Sequence, residues 1–230
     1  NITNNLVANL NNNATNSVAA STGSSLRGIS VTSGIGTVTG NTIRNMAVAS
    51  QGTSTTVHSV IGIYYSATTA GSHTVSQNTI HSISNNYVSA SAAVYVSGIY
   101  YSGPSAGTNV ISRNLVYGIS ATSTSATAAN LGIVIAGGVS TYSNNMVRLG
   151  YDASGTAITN GILMMGMSKT TTANNNVYHN TIYVGGTGVA ASAAHTYAFI
   201  RTGTGTDDVK NNIFINERSN AIAGTGKHYS

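Results

Sequence analysis

An asparagine recurs along this chain in the same company each time, and that recurrence limits the possible folds more than any other feature. The segments VTGNTIRNM (38–46), VSQNTIHSI (75–83), VYHNTIYVG (177–185) and VKNNIFINE (209–217) superimpose without gaps. Extending their register gives seven anchors, Asn5, Asn41, Asn78, Asn114, Asn145, Asn180 and Asn212, spaced by 36, 37, 36, 31, 35 and 32 residues. Three residues before each anchor stand Ile2, Val38, Val75, Ile111, Tyr142, Val177 and Val209. Two residues after it stand Val7, Ile43, Ile80, Val116, Val147, Ile182 and Phe214. Both columns are apolar or aromatic in every repeat. Self-similarity at this period marks a solenoid, in which no single repeat can bury its apolar face alone.

A second block recurs between the anchors: Gly28-Ile29, Gly62-Ile63, Gly98-Ile99, Gly132-Ile133 and Gly161-Ile162, with Ala198-Phe199 as a variant. Each repeat therefore offers three short runs, one after the glycine and one on each side of the asparagine. They are rich in the β-branched and aromatic residues that strands prefer. No run sustains a 3.6-residue period, and Gly, Ser and Thr interrupt them all. Three strands separated by corners describe one coil of a parallel β-helix. The fold expected is all-β: a right-handed parallel β-helix solenoid of about seven coils, each 31–37 residues long, with a ladder of stacked asparagines. At about 4.8 Å per coil the column would be roughly 30–35 Å long. Asn suits a corner because it tolerates left-handed backbone, and its amide both donates and accepts along a stack.

The repeats are longer than three strands require, so the excess must leave as loops. The candidates are 47–58, 84–94, 120–130 and 186–195, together with 66–74, 102–109, 166–176 and 202–208. Within them the alternation from Val88 to Val96 reads as a strand extension. Residues 1–230 form one domain, expected to be a fragment of a longer chain, since it starts inside a repeat at Ile2-Thr3-Asn4-Asn5 and its first methionine is Met46. That start carries no charged or proline-rich cap.

Only 6% of residues are charged, against roughly a quarter in ordinary soluble domains, so the surface must be polar without being ionic. The net charge of +5 is dispersed, with no run of Lys or Arg, and this argues against nucleic acid as a partner. There is no cysteine, hence no disulfide framework and no thiolate metal site. No apolar stretch reaches the roughly 18 residues of a membrane span, so membrane insertion is not expected.

These motifs resemble the right-handed parallel β-helix, or pectin-lyase-like, superfamily. The N-[TL]-[IV] corners and the GIYYS strands at 62–66 and 98–102 are also similar to repeats in very large secreted or cell-surface proteins of bacteria. That resemblance implies an extracellular or cell-surface location. It also brings in polysaccharide lyases and glycosidases, which work with clustered carboxylates and, in the lyases, with calcium.

The acids available for such chemistry are few: Asp152, Asp207, Asp208 and Glu217. Asp207 and Asp208 are the one adjacent pair; with Val209 inward, Asp208 should face out beside Lys210. General acid–base work needs a second group across the scissile bond, and none is in view. No nine-residue calcium repeat or phosphate loop is present, and the six histidines, His58, His73, His81, His179, His195 and His228, fall in different columns. No catalytic residue, metal or cofactor is therefore assigned. A flat threonine array for ice binding is not supported, because the position after each anchor reads Leu6, Thr42, Thr79, Leu115, Met146, Thr181 and Ile213.

The position three after each anchor reads Ala8, Arg44, His81, Tyr117, Arg148, Tyr183 and Ile215. Since the residue before it points inward, this one should point outward. Arg44, His81, Tyr117, Arg148 and Tyr183 are thus the candidate ligand-binding stripe, suited to stacking sugars or gripping acidic polysaccharide. The competing reading is a loop folded over them. The expected function is a non-enzymatic structural or adhesive segment of an extracellular bacterial protein, spacing or presenting other modules. The alternative is a polysaccharide-binding or polysaccharide-degrading domain. The partners expected are modules or chains stacked at the open ends of the helix, with polysaccharide as a further possibility.

Overall fold

Every anchor asparagine follows a residue in the left-handed region: Asn4 (φ 56°), Gly40 (70°), Gln77 (56°), Arg113 (56°), Asn144 (55°), His179 (54°) and Asn211 (56°). The corner expected at the anchor itself therefore turns one residue earlier. This leaves the anchor side chain directed along the column. Six of the seven corner residues are not glycine, and left-handed backbone costs an L-residue roughly 1–2 kcal/mol. The bonds gained at the anchor offset that cost.

The same bonds recur at each of the six steps of the column. The anchor Nδ2 donates to the next anchor's Oδ1 at 2.9 Å every time. The anchor backbone N–H donates to the same oxygen at 2.8–3.1 Å. The later Nδ2 also reaches back to the carbonyl three residues before the earlier anchor. Two backbone bonds complete the set: the left-handed residue donates forward, and the residue after the later anchor donates back to the earlier anchor carbonyl. An inner anchor such as Asn78 or Asn114 is buried with both ends of its amide satisfied, as a buried polar side chain must be.

This computed structural model describes residues 1–13, 17–18, 26–52, 58–91, 93–221 and 223–230. Around the ladder the chain forms a parallel β-solenoid with three seven-stranded sheets, so seven rungs are joined by about six full turns. The first sheet holds the strands before the anchors: Ile2–Thr3, Thr37–Thr39, His73–Ser76, Asn109–Ser112, Thr141–Ser143, Asn176–Tyr178 and Asp208–Lys210. The second holds Leu6–Asn12, Thr42–Val48, Thr79–Asn85, Leu115–Ala121, Met146–Leu149, Thr181–Val184 and Ile213–Asn216. The third holds Leu26–Val31, Val60–Tyr65, Tyr95–Ser102, Ala129–Gly137, Leu163–Lys169, Thr196–Arg201 and His228–Tyr229. Among the described residues there is no helix.

The expected inward columns are inward. Val38, Val75, Ile111, Tyr142 and Val177 are fully buried, as are Ile43, Ile80, Val116 and Ile182. At the two ends, a coil has a neighbour on one side only. Ile2, Val7 and Phe214 are accordingly only partly buried, and Val209 is 41% exposed despite its place in the column.

In the first four coils the second sheet carries another left-handed residue, four after the anchor: Asn9, Asn45, Ser82 and Gly118. It resets the alternation, so the next residue is again inward, with Met46, Ile83 and Ile119 fully buried.

The third sheet lies close to the second where the glycines stack. A Cβ on Gly62 would stand 2.5 Å from Ile80 Cγ2 and 2.6 Å from the Gly98 carbonyl oxygen. The equivalent atoms crowd Gly98, Gly132 and Gly166. The fifth glycine of this column is thus Gly166, because Met167 pairs with Ile133; Gly161-Ile162 precedes the strand. The expected loop 166–176 shortens for the same reason. MMGMSK lacks β-branched residues, and stacking on Ala129–Gly137 makes it a strand. The alternation from Val88 does not extend a strand. Val88 is 75% exposed, and the strand begins at Tyr95. Residues 53–57 of the 47–58 loop lie outside the described residues.

Candidate functional site

The stripe read from the repeats is a physical column. Ala8, Arg44, His81, Tyr117, Arg148, Tyr183 and Ile215 are partners in successive parallel pairings of the second sheet. Arg148 is exposed, and Arg44, His81, Tyr117 and Tyr183 are half-buried. His81 stacks on Tyr117 with ring centroids 4.8 Å apart and planes within 4°. Its imidazole is held below the usual histidine range by partial burial and then by the neighbouring Arg44 guanidinium. Between Tyr117 and Tyr183, two coils apart, lies a groove of about 250 Å³. Leu115, Met146, Val147 and Thr181 floor it, with Arg148 on its wall.

A loop also reaches this face, over Arg148 and Tyr183. The segment after Gly150 closes with a Tyr151–Ala157 bridge, and Asp152 Oδ1 accepts the Ser154 and Thr156 amides and the Ser154 hydroxyl. Tyr151 then stacks on Tyr183 at 6.5 Å and carries the Arg148 guanidinium 4.2 Å from its ring centre. The phenol of Tyr183 is pushed up to about 12, first by the Tyr151 hydroxyl, then by burial and by Glu217, whose Oε2 accepts its hydrogen bond at 3.1 Å. The loop borders the groove without filling it. Tyr151 escaped the sequence reading because it belongs to no column.

A second polar column was also missed, although it was readable. Five residues before the later anchors stand Gly36, His73, Asn109, Ser140, Asn175 and Asp207, facing the end of the third sheet. Tyr65 Oη and His73 Nδ1 are hydrogen-bonded there. The Ser140 N–H donates to Asn175 Oδ1 at 3.0 Å, and the Asn175 N–H donates to Asp207 Oδ1 at 2.8 Å. Asp207 Oδ2 lies 3.1 Å from Lys169 Nζ and 2.8 Å from Arg201 Nε. Lys169 has no exposed side-chain surface and Asp207 only 3%. The two adjacent acids therefore divide. Asp207 is an internal counter-ion, while Asp208 faces outward, 2.8 Å from Lys210 Nζ and bonded by Tyr178 Oη. Lys210, and then Tyr178, hold its carboxyl below the usual range.

Compared with protein-family models, curated proteins and solved structures, the chain gave no match. The site must be read from its own geometry. Among the described residues no three His, Cys, Asp or Glu side chains come together as a metal would require. Among the same residues no helix is long and apolar enough to cross a membrane.

His58 and His73 are buried. His58 sits edge-on to Tyr95 and Tyr100, its Nδ1 bonded with Ser97 Oγ. Burial lowers its pKa to about 4. In the unfolded chain it would titrate near about 6.5. Between these values the unfolded state takes up a proton that the folded state refuses, so this contribution is whole above about 6.5 and falls away as pH drops towards 4. Burial shifts His81 and His228 in the same direction. Urea midpoints of the native chain should thus fall between neutral pH and about pH 4.5, and the fall should be smaller in His58→Gln. An equal fall in both would show that His58 does not govern acid sensitivity.

Proposed function

We propose that this chain is a stiff, non-enzymatic segment of a large secreted or cell-surface bacterial protein of the pectin-lyase-like kind, spacing or presenting other modules. The observation that carries this reading is the unbroken ladder, whose bond set repeats at all six steps. The four carboxylates support it, since each has a local partner. Asp152 closes its own loop, Asp207 neutralises Lys169, Asp208 holds Lys210 and Glu217 accepts from Tyr183. A surface poor in charge and a chain without cysteine suit an extracellular setting. Incubated with pectin, polygalacturonate or alginate, with and without calcium, the protein should release no shorter chains. Cleavage that is lost in Asp208→Asn would overturn this reading.

The groove favours a second reading, in which the same segment also holds polysaccharide. Two aromatic rings flank an apolar floor beside one exposed guanidinium, a surface on which a pyranose ring can stack while the cation meets an acidic substituent. On a glycan array the native chain should retain acidic glycans, and Arg148→Ala/Tyr183→Ala should lose about tenfold or more in affinity, on the order of 1.4 kcal/mol. Retention unchanged by the double substitution would remove the groove as a binding site.

A further inference from the structure

One rung of the outward column is bent aside. In the strands after the anchors, the residues one and three places on share the outward face. Successive coils therefore present pairs: Leu115 with Tyr117, Met146 with Arg148, Thr181 with Tyr183. From the third coil to the fourth the column stacks, with His81 flat on Tyr117 at 4.8 Å, about one coil spacing. The fifth coil breaks the stack. Its strand, Met146–Leu149, is four residues long, where Leu115–Ala121 before it has seven. Gly150, at φ 95°, turns the chain out into the loop, and Tyr151 draws the Arg148 guanidinium to 4.2 Å from its ring centre. Above Met146 this leaves the groove of about 250 Å³, bounded by the side chains of the fourth coil and those of the sixth.

The width, floor and charge of that slot define what it can hold. Its walls are two coils apart, roughly 9–10 Å between backbones. A flat ring standing on Met146 would lie one spacing from Tyr117 and one from Tyr183, the separation that His81 already keeps from Tyr117. The floor is apolar: Met146, 55% exposed, with Leu115 and Val147, and a thioether meets a ring edge favourably. The charge is unbalanced. Arg148 gives one face to Tyr151, and among the described residues no carboxylate pairs with it. Asp152 is taken by its own loop and Glu217 by Tyr183. A pyranose laid across the opening can touch the rings and the cation. Inside the slot, its rim of hydroxyls would meet only the Thr181 hydroxyl on the floor, and hydroxyls buried without partners are costly.

We propose that the slot binds a flat aromatic carboxylate, its ring inserted between Tyr117 and Tyr183 on Met146 and its carboxylate accepting from the Arg148 guanidinium. The ring continues the stack that His81 and Tyr117 begin, and the anion gives Arg148 a charged partner, the stronger kind of hydrogen bond. The ligand is the free acid. The same ring esterified to a polymer would bring no charge to Arg148. This inference goes beyond the glycan reading and needs only the groove, so the two stand or fall separately.

Titration of the chain, isotope-labelled at its methionine methyl groups, with naphthoate tests the proposal by nuclear magnetic resonance. The Met146 methyl signal, assigned by its loss in Met146→Leu, should move upfield under the ring current and saturate. The signals of Met46, Met164 and Met167, which are fully buried, should stay in place. Arg148→Gln and Tyr117→Leu should each weaken binding by about tenfold or more, while Arg44→Gln, three coils away, should leave it unchanged. The methyl ester of naphthoate, with the same ring and no charge, should also bind about tenfold more weakly. A Met146 signal that does not move at millimolar naphthoate would overturn the proposal and leave the glycan reading to its own test. Glucuronate binding as tightly as naphthoate would overturn it in favour of a sugar in the slot. Equal binding by Arg148→Gln would overturn the pairing of the carboxylate with Arg148.

Discussion

Replacing Asp207 with alanine should cost about 4 kcal/mol, more than any other single change to the charged groups, because it strands a buried ammonium. Lys169 is fully enclosed. Without Asp207 its Nζ would keep only the carbonyl oxygens of Thr171, at 2.8 Å, and Thr204, at 3.1 Å. The Asn175 N–H would also lose its acceptor. Each coil bonds mainly to its neighbours, so the damage should be local to the last three coils. Urea unfolding followed by tyrosine fluorescence should then show an early partial transition before the rest of the column melts. Lys169→Met is the informative control. It removes the buried charge while Arg201, 2.8 Å away, still neutralises Asp207, and its cost should be about 1 kcal/mol or less, since an apolar replacement of a buried ion is often near neutral. Asp208→Ala should change little, its pair with Lys210 being on the surface. If Asp207→Ala and Asp208→Ala proved equally mild, the buried ion pair would not be holding the corner.

That contrast between two adjacent acids shows where the sequence was informative. The columns three before and two after each anchor fixed which residues face inward, and this placed Asp208 outside beside Lys210. The same repeat set the order of Arg44, His81, Tyr117, Arg148 and Tyr183. Other features depend on contacts that no residue type announces. Gln77, Arg113 and His179 adopt the left-handed conformation because the anchor beside them is bonded on both sides, and nothing in those side chains prefers it. Gly166 was passed over for Gly161 because the latter is followed by isoleucine, the former by methionine; pairing with Ile133 decided between them. The column five before the anchor was legible, being polar in His73, Asn109, Ser140, Asn175 and Asp207, yet a polar residue near a corner ordinarily signals solvent. Tyr151 joined the stripe through a loop, and loops lie outside the repeat.

The central claim is that stacked asparagines hold coil to coil, and unequal losses along the ladder test it most directly. Asn114→Ala, in the middle of the column, removes bonds to Asn145 Oδ1 and the Val75 carbonyl and leaves the Asn78 N–H and Nδ2–H without their acceptor. Those groups are buried, and leaving them unpaired should cost about 3 kcal/mol. Asn5→Ala removes the same side chain at an exposed end, where water replaces the lost bonds, and should cost under about 1 kcal/mol. Urea denaturation of the two variants beside the native chain is the measurement. The account predicts a much lower midpoint for Asn114→Ala and a nearly native one for Asn5→Ala. Small and equal shifts at both positions would contradict it, because the asparagines would then be turn residues that happen to lie in line.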